Sequence, residues 1–223
     1  MHRHTQLLAG AASLVFGLPA LFGGTLNLST GLDSGGSLIT TDLGCDAHWV
    51  QVAGPTAACA NSAAQVVMSS DAGWFGGWIA NGPNSNWITS NASTTANGSP
   101  LPGYSVTFFL DNTSGASLSG SWTIDDQGAI SLNGNPIGSL GGGNWGSLSS
   151  VSASSGFAVG ANTLRIAMSS SDNFLEGVRF EGSVTGPGAS LSPSHPAVPE
   201  PISGWMFVAG MGVLFAYRRH RQA

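Results

Sequence analysis

The sequence predicts an all-β fold, an antiparallel sandwich of short strands, on three observations. Apolar and polar residues alternate with a period of two in four separate runs, the pattern of a strand with one buried face. Clusters of Gly, Asn and Asp stand between and around those runs ("DNTSG", "DDQG", "NGNPIG", "GGGN"), and these residues accept the backbone angles of tight turns. Charged residues make up only 8% of the chain and lysine is absent, yet seven Trp and ten Phe supply apolar area for a core. Low charge therefore does not signal disorder here.

In chain order, "MHRHTQLLAGAASLVFGLPA" opens weakly basic at Arg3 and continues as an apolar run from Leu7 to Leu18. Such a run has the length of a secretion signal's apolar centre and is too short to span a bilayer. Residues 1–24 are expected to be a helical signal peptide, with cleavage after Ala20 or after Gly17 both open. The body is expected to run from 25 to 184. Its two cysteines, Cys45 and Cys59, read as a disulfide in an exported chain, because a metal pair would need more ligands than nearby His48 provides. "ACANSAAQVVM" (Ala58–Met68) comes closest to an amphipathic helix and equally fits a loop followed by a strand.

The alternating runs follow. "YSVTFFL" puts Tyr104, Val106, Phe108 and Leu110 on one face, and "LSGSWTI" does the same with Leu118, Trp122 and Ile124. "TLRIAM" aligns Leu164, Ile166 and Met168, and "VRFEGSV" aligns Val178, Phe180 and Val184. Asn133-Gly134 is a hairpin dipeptide, since both residues accept positive φ, and Gly160 with Asn162 should form the turn into the next strand. The order of "GSWTIDDQGAISLNGNPIG" and then "VGANTLRIAM" resembles the galactose-binding-like jelly rolls, which occur as accessory modules of glycoside hydrolases and in secreted bacterial proteins. That resemblance implies a jelly-roll sandwich hosting a ligand binder or a purely structural module. It also implies a structural calcium, for which Asp111, Asp125 and Asp126, with Asn112, Asp172 and Glu176, are the oxygen donors available; turn capping is the alternative role for these residues.

After the body, "TGPGASLSPSHPA" is rich in Gly, Ser and Pro and reads as a linker over 185–198. Its His195 is expected to be solvated. The chain then closes with Pro199-Glu200-Pro201, an apolar span from Ile202 to Tyr217, and Arg218, Arg219 and Arg221. A helix over 202–217 would be about 24 Å long, slightly short for a bilayer core of about 30 Å. Trp205 and Tyr217 suit its interfaces, and the arginines hold its end in the cytoplasm. This order resembles the PEP-CTERM sorting signal of exported Gram-negative bacterial proteins over residues 199–223. By that resemblance Pro199, Glu200, Pro201, Arg218, Arg219 and Arg221 are recognised by an exosortase, a membrane processing protease. Family members often associate with extracellular polysaccharide or biofilm. The export machinery, the exosortase, the membrane and such a polysaccharide are the expected partners, and the cell surface or extracellular space is the expected destination.

Charge and motif content narrow the activity. Between Thr25 and Val198 ten acids face two arginines, a formal charge of 2 − 10 = −8, so the body cannot neutralise a phosphate backbone and nucleic-acid binding is excluded. A hydrolase would have to use His48 or the Asp125-Asp126 pair. "DAHW" lacks a nucleophile-elbow context, and neighbours along a strand are expected to point apart. The chain therefore reads as non-enzymatic, with no catalytic residue. Sugar binding needs aromatic platforms among polar neighbours: Trp74, Trp78 and Trp87 in "WFGGWIANGPNSNWI" and Trp145 in "GGGNWG" are the candidates. A place in the core is the competing role for each, and glycine-flanked Trp145 is the best exposed candidate.

Overall fold

The computed structural model describes residues 23–192. The signal peptide, His195, the Pro199–Pro201 motif, the apolar span 202–217 and the terminal arginines lie outside the described residues. Among those described, no helix is long and apolar enough to cross a membrane.

Eleven strands form one antiparallel system: β1 (Gly23–Asn27), β2 (Cys45–Ala53), β3 (Ala63–Val66), β4 (Ile88–Thr89), β5 (Gly103–Leu110), β6 (Ser117–Asp125), β7 (Gln127–Leu132), β8 (Asn135–Leu140), β9 (Ser149–Ala153), β10 (Gly160–Ser170) and β11 (Gly177–Pro187). Hydrogen bonding follows the path β8-β7-β10-β5-β2-β3-β4-β11-β6-β9, with β1 added against β11. β8-β7-β10-β5-β2 forms one wall and β11-β6-β9 with β1 the other, while the short β3 and β4 carry the ladder between them. Both walls face a single core. Trp49 from β2 meets Phe180 from β11 with ring centroids 5.9 Å apart, and the Trp49 indole N–H donates to the Leu28 carbonyl at 2.8 Å. Burying a Trp in such a core is tolerated because its one polar atom finds a partner.

The expected alternation matches the core. Tyr104, Val106, Phe108, Leu110, Leu118, Trp122, Ile124, Leu164, Ile166, Met168, Val178, Phe180 and Val184 are all buried. Asn133 (φ 51°) and Gly134 (φ 80°) turn the β7–β8 hairpin. Asn162 is fully buried beside the Gly160 turn, its side chain bonding Ala158 through both its donor and its acceptor. Cys45 and Cys59 are disulfide-bonded, with Cα atoms 5.9 Å apart. That bond indicates an extracellular or otherwise oxidising setting.

Two features differ from the sequence reading, and a third settles an alternative that it left open. β2 was not expected as a strand because its polarity runs opposite to pattern: Val50 and Val52 face solvent, while Asp46 and Gln51 are buried. The Asp46 carboxylate is accommodated by the backbone N–H groups of Gly31, His48 and Trp49. Ala58–Met68 resolves as a 3-10 turn at Ala60–Ser62 followed by β3. β11 continues past Val184 to Pro187 because β1 supplies a partner as far as Gly23. Ser190 also exchanges backbone hydrogen bonds with Phe109, so the first residues assigned to the linker belong to the sandwich.

Candidate functional site

Three chain crossings converge at one end of the sandwich, and this follows from strand order. β6 lies in one wall and β7 in the other, joined at Asp126 alone. β8 and β9 are likewise split between the walls, and so are β10 and β11. Each of these pairs passes between the walls at the same end, since the intervening β7–β8 hairpin turns at the opposite one. The crossings therefore bring together the Asp125–Asp126 corner, the segment 141–148 that contains Trp145, and the loop 171–176. An open hollow of about 290 Å³, counted with its mouth, lies among them. Asp125, Asp126 and Asp172 supply its polar lining, while Phe75, Trp145, Phe174 and Leu175 supply the apolar part.

Hydrogen bonds fix the walls of this hollow. Thr123 donates through its hydroxyl to the Asn144 carbonyl at 2.7 Å, holding the Trp145 segment to β6. Ile79 N–H donates to the Trp145 carbonyl at 2.8 Å. The Phe75 and Trp145 rings meet edge to face at 5.7 Å. On the other side, Asp172 Oδ1 accepts from Phe174 N–H at 2.9 Å, which shapes the loop. Asn97 N–H donates to the Phe174 carbonyl at 3.1 Å. Gly98 passes so close to Ser171 and Glu176 that an added Cβ would lie 1.9 Å from Ser171 Oγ.

The carboxylates are unusually placed. Asp125 Oδ2 accepts from the Trp78 indole N–H at 2.7 Å, and the Asp126 carboxyl lines the same hollow beside it. Neighbouring acids do not point apart here, because Asp126 sits in the bend between two strands, where strand alternation does not apply. Burial is the main cause that pushes Asp125 up to about 7, with Asp126 adding to the effect. Glu176 is also raised to about 7, first by burial and then by the charges of Asp126 and Asp172. Glu176 is 1% exposed. One of its oxygens accepts from Ser171 Oγ, and the other, Oε2, has no hydrogen-bond partner.

The remaining candidates divide. Trp78 and Trp87 are buried and stack at 4.3 Å with planes 12° apart, forming a second, smaller core. Neither is a platform, since both indole N–H groups are already used, by Asp125 and by the Ile79 carbonyl. Trp74 packs edge-on against Trp78 at 5.5 Å and does not line the hollow. Trp145 does line it, half-buried. Asp111 stands at the end of β5 beside Pro187 and Gly188, outside the acidic group, and Asn112 caps its own turn through Ser114 N–H at 2.7 Å. His48 lies half-buried on β2 and does not line the hollow. Phe75 and Phe174 were missed. Phe174 sits between turn residues in "SDNFLEG", with no periodic pattern to mark it, and 48% of its surface is exposed.

No protein-family model and no curated protein matches the chain. Among solved structures, a family 35 carbohydrate binding module from an environmental isolate is similar at 14% identity and a TM-score of 0.32, covering 56% of this chain and 90% of that one.

Proposed function

We propose that the chain is an exported, non-enzymatic surface or matrix protein whose body, a jelly roll of the galactose-binding-like type, binds a carbohydrate in the hollow at the crossing end. The observation that carries the reading is the lining itself. A sugar ring presents an apolar C–H face and a rim of hydroxyl donors; Trp145, Phe75 and Phe174 offer aromatic surface to the first, and Asp126 and Asp172 offer acceptors to the second. The hollow is small and open, which suits one or two sugar units of a polymer that continues into solvent. Asp125 accepts from the Trp78 indole N–H, which ties that carboxylate to the wall of the hollow.

The tail supports the destination. Pro199-Glu200-Pro201, the apolar span and the terminal arginines form a sorting handle for an exosortase-type protease, which would release the sandwich beyond the inner membrane. Intact mass and fractionation from an exosortase-bearing host test this part, and full-length chain retained in the membrane would overturn it. Affinity electrophoresis against a panel of extracellular polysaccharides tests the other. Retardation by at least one polymer, weakened by about tenfold in Trp145→Ala, is expected. Binding that survives both Trp145→Ala and Phe174→Ala would place it elsewhere on the molecule.

A further inference from the structure

The hollow at the crossing end is one-sided in its hydrogen bonding. Asp126 is half-buried and Asp172 open to solvent, and both side chains only accept when ionised. An Asp126 carboxylate oxygen lies within 4.8 Å of one from Asp172, so one small donor group can reach both. Buried Asp125 already accepts from Trp78. Against these acceptors the lining side chains offer one donor group, the Trp145 indole N–H, since Phe75, Phe174 and Leu175 carry none. The described residues contain two arginines, and neither lines the hollow. Arg179 is held by Ser85, the Ala80 carbonyl and Glu181, and Arg165 lies on β10 against Gly103.

We propose, resting on the carbohydrate reading above, that the hollow selects a cationic amino sugar over neutral and acidic ones. Its ligand is a hexosamine unit whose amino group is free and protonated. An ammonium group carries three donors and no acceptor, which complements a lining that accepts and barely donates. A hydroxyl brings acceptor lone pairs with its donor, and an N-acetyl group brings a carbonyl; the lining gives these little to bond. A uronic acid's carboxylate brings no donor and meets Asp126 and Asp172 as a like charge. The aromatic rim favours the same ligand. A cation within about 6 Å of a ring centre is drawn to the ring's negative face, most strongly for Trp, and Trp145, Phe75 and Phe174 all line the hollow. Long-range charge acts in the same direction, because residues 25–198 carry 2 − 10 = −8 and draw cations toward the molecule.

Calorimetric titration of the full-length chain tests this, at about 0.15 M salt, where exposed charges beyond about 8 Å are screened. The probes are a glucosamine oligomer, its N-acetylated counterpart and a uronic acid oligomer, all of one length, with tri-lysine as a non-sugar amine. The glucosamine oligomer should bind about tenfold tighter than the acetylated one, or more, and the uronic acid oligomer and tri-lysine should not saturate. Asp172→Asn keeps Oδ1 as the acceptor for Phe174 N–H, and it should weaken glucosamine binding about tenfold while leaving acetylated binding as it was. Asp111→Asn removes the same unit of charge away from the hollow and should bind as the parent does. Acetylated oligomer binding as tightly as the free amine, or saturable binding of the uronic acid oligomer, overturns the selectivity and leaves the carbohydrate reading in place. Tri-lysine binding as tightly as the glucosamine oligomer also overturns it, since the hollow would then take any amine. Failure of every sugar probe, the polysaccharide panel included, overturns the carbohydrate reading itself.

Discussion

At the scale of single residues, Glu176 and Asp125 show how burial sets a protonation state. Their carboxyls titrate near 7 in the folded chain against ordinary values of 4.5 and 3.8. The folded state thus keeps protons that the unfolded state has already released over that interval. The contribution of these two groups to stability is therefore fully present below the ordinary carboxylate values, falls as pH rises, and levels off above about 7. In chelator, the melting temperature of Glu176→Gln should gain on the parent as pH climbs through this window, since the amide has no proton to lose. A constant difference between the two across the window would contradict the burial account. Trp87 illustrates the opposite fate of a polar aromatic: fully buried, stacked and hydrogen-bonded, it should cost about 3–5 kcal/mol on truncation to Ala, measured by denaturant unfolding. Its sequence context, Asn and Ser on both sides, looks like a platform's. Only the stacking partner Trp78, nine positions earlier, reveals a core residue.

At the scale of elements, the alternating strands and the Asn133-Gly134 hairpin were legible because their signals are local. Period two places one face inward whatever the partner strand turns out to be, and a two-residue turn with both φ values positive specifies its own residues. Replacing Gly134, whose φ is 80°, by Val should destabilise the chain by about 1–2 kcal/mol through strain, as no neighbour crowds the site. A chemical-denaturation midpoint unchanged from the parent would count against that reading. β2 was illegible for a physical reason. Its inward positions include Asp46 and Gln51, whose burial is met by the N–H groups of Gly31, His48 and Trp49 and by the Pro55 carbonyl, so hydropathy alone misreads its faces. The Cys45–Cys59 bond anchors the start of that strand. Its loss in Cys45→Ser/Cys59→Ser should cost about 3 kcal/mol in the chain-entropy account, read as a lower melting temperature; a drop equal to zero would show that the β2 ladder holds the loop unaided.

At the scale of the whole molecule, composition and local pattern determined the class: an aromatic-rich, charge-poor chain with short alternating runs folds as antiparallel β-structure, and its paired cysteines close a disulfide. Both follow from properties each segment carries by itself. The export and sorting signals proposed for the two ends rest on the same ground, contiguous apolar spans with charged ends. The candidate site had to wait for the tertiary structure. Asp126, Trp145 and Asp172 are separated by 19 and 27 residues, and no local rule relates them. They meet because three connections, β6–β7, β8–β9 and β10–β11, change walls at the same end, which is a property of strand order alone. The tertiary structure also stacked Trp78 on Trp87 in a buried cluster and set Trp145 in the lining of the hollow. It also left a buried glutamate facing two further acids, with no arginine of the described residues against it. Sequence counts charges; the path of the chain decides which of them must share a space.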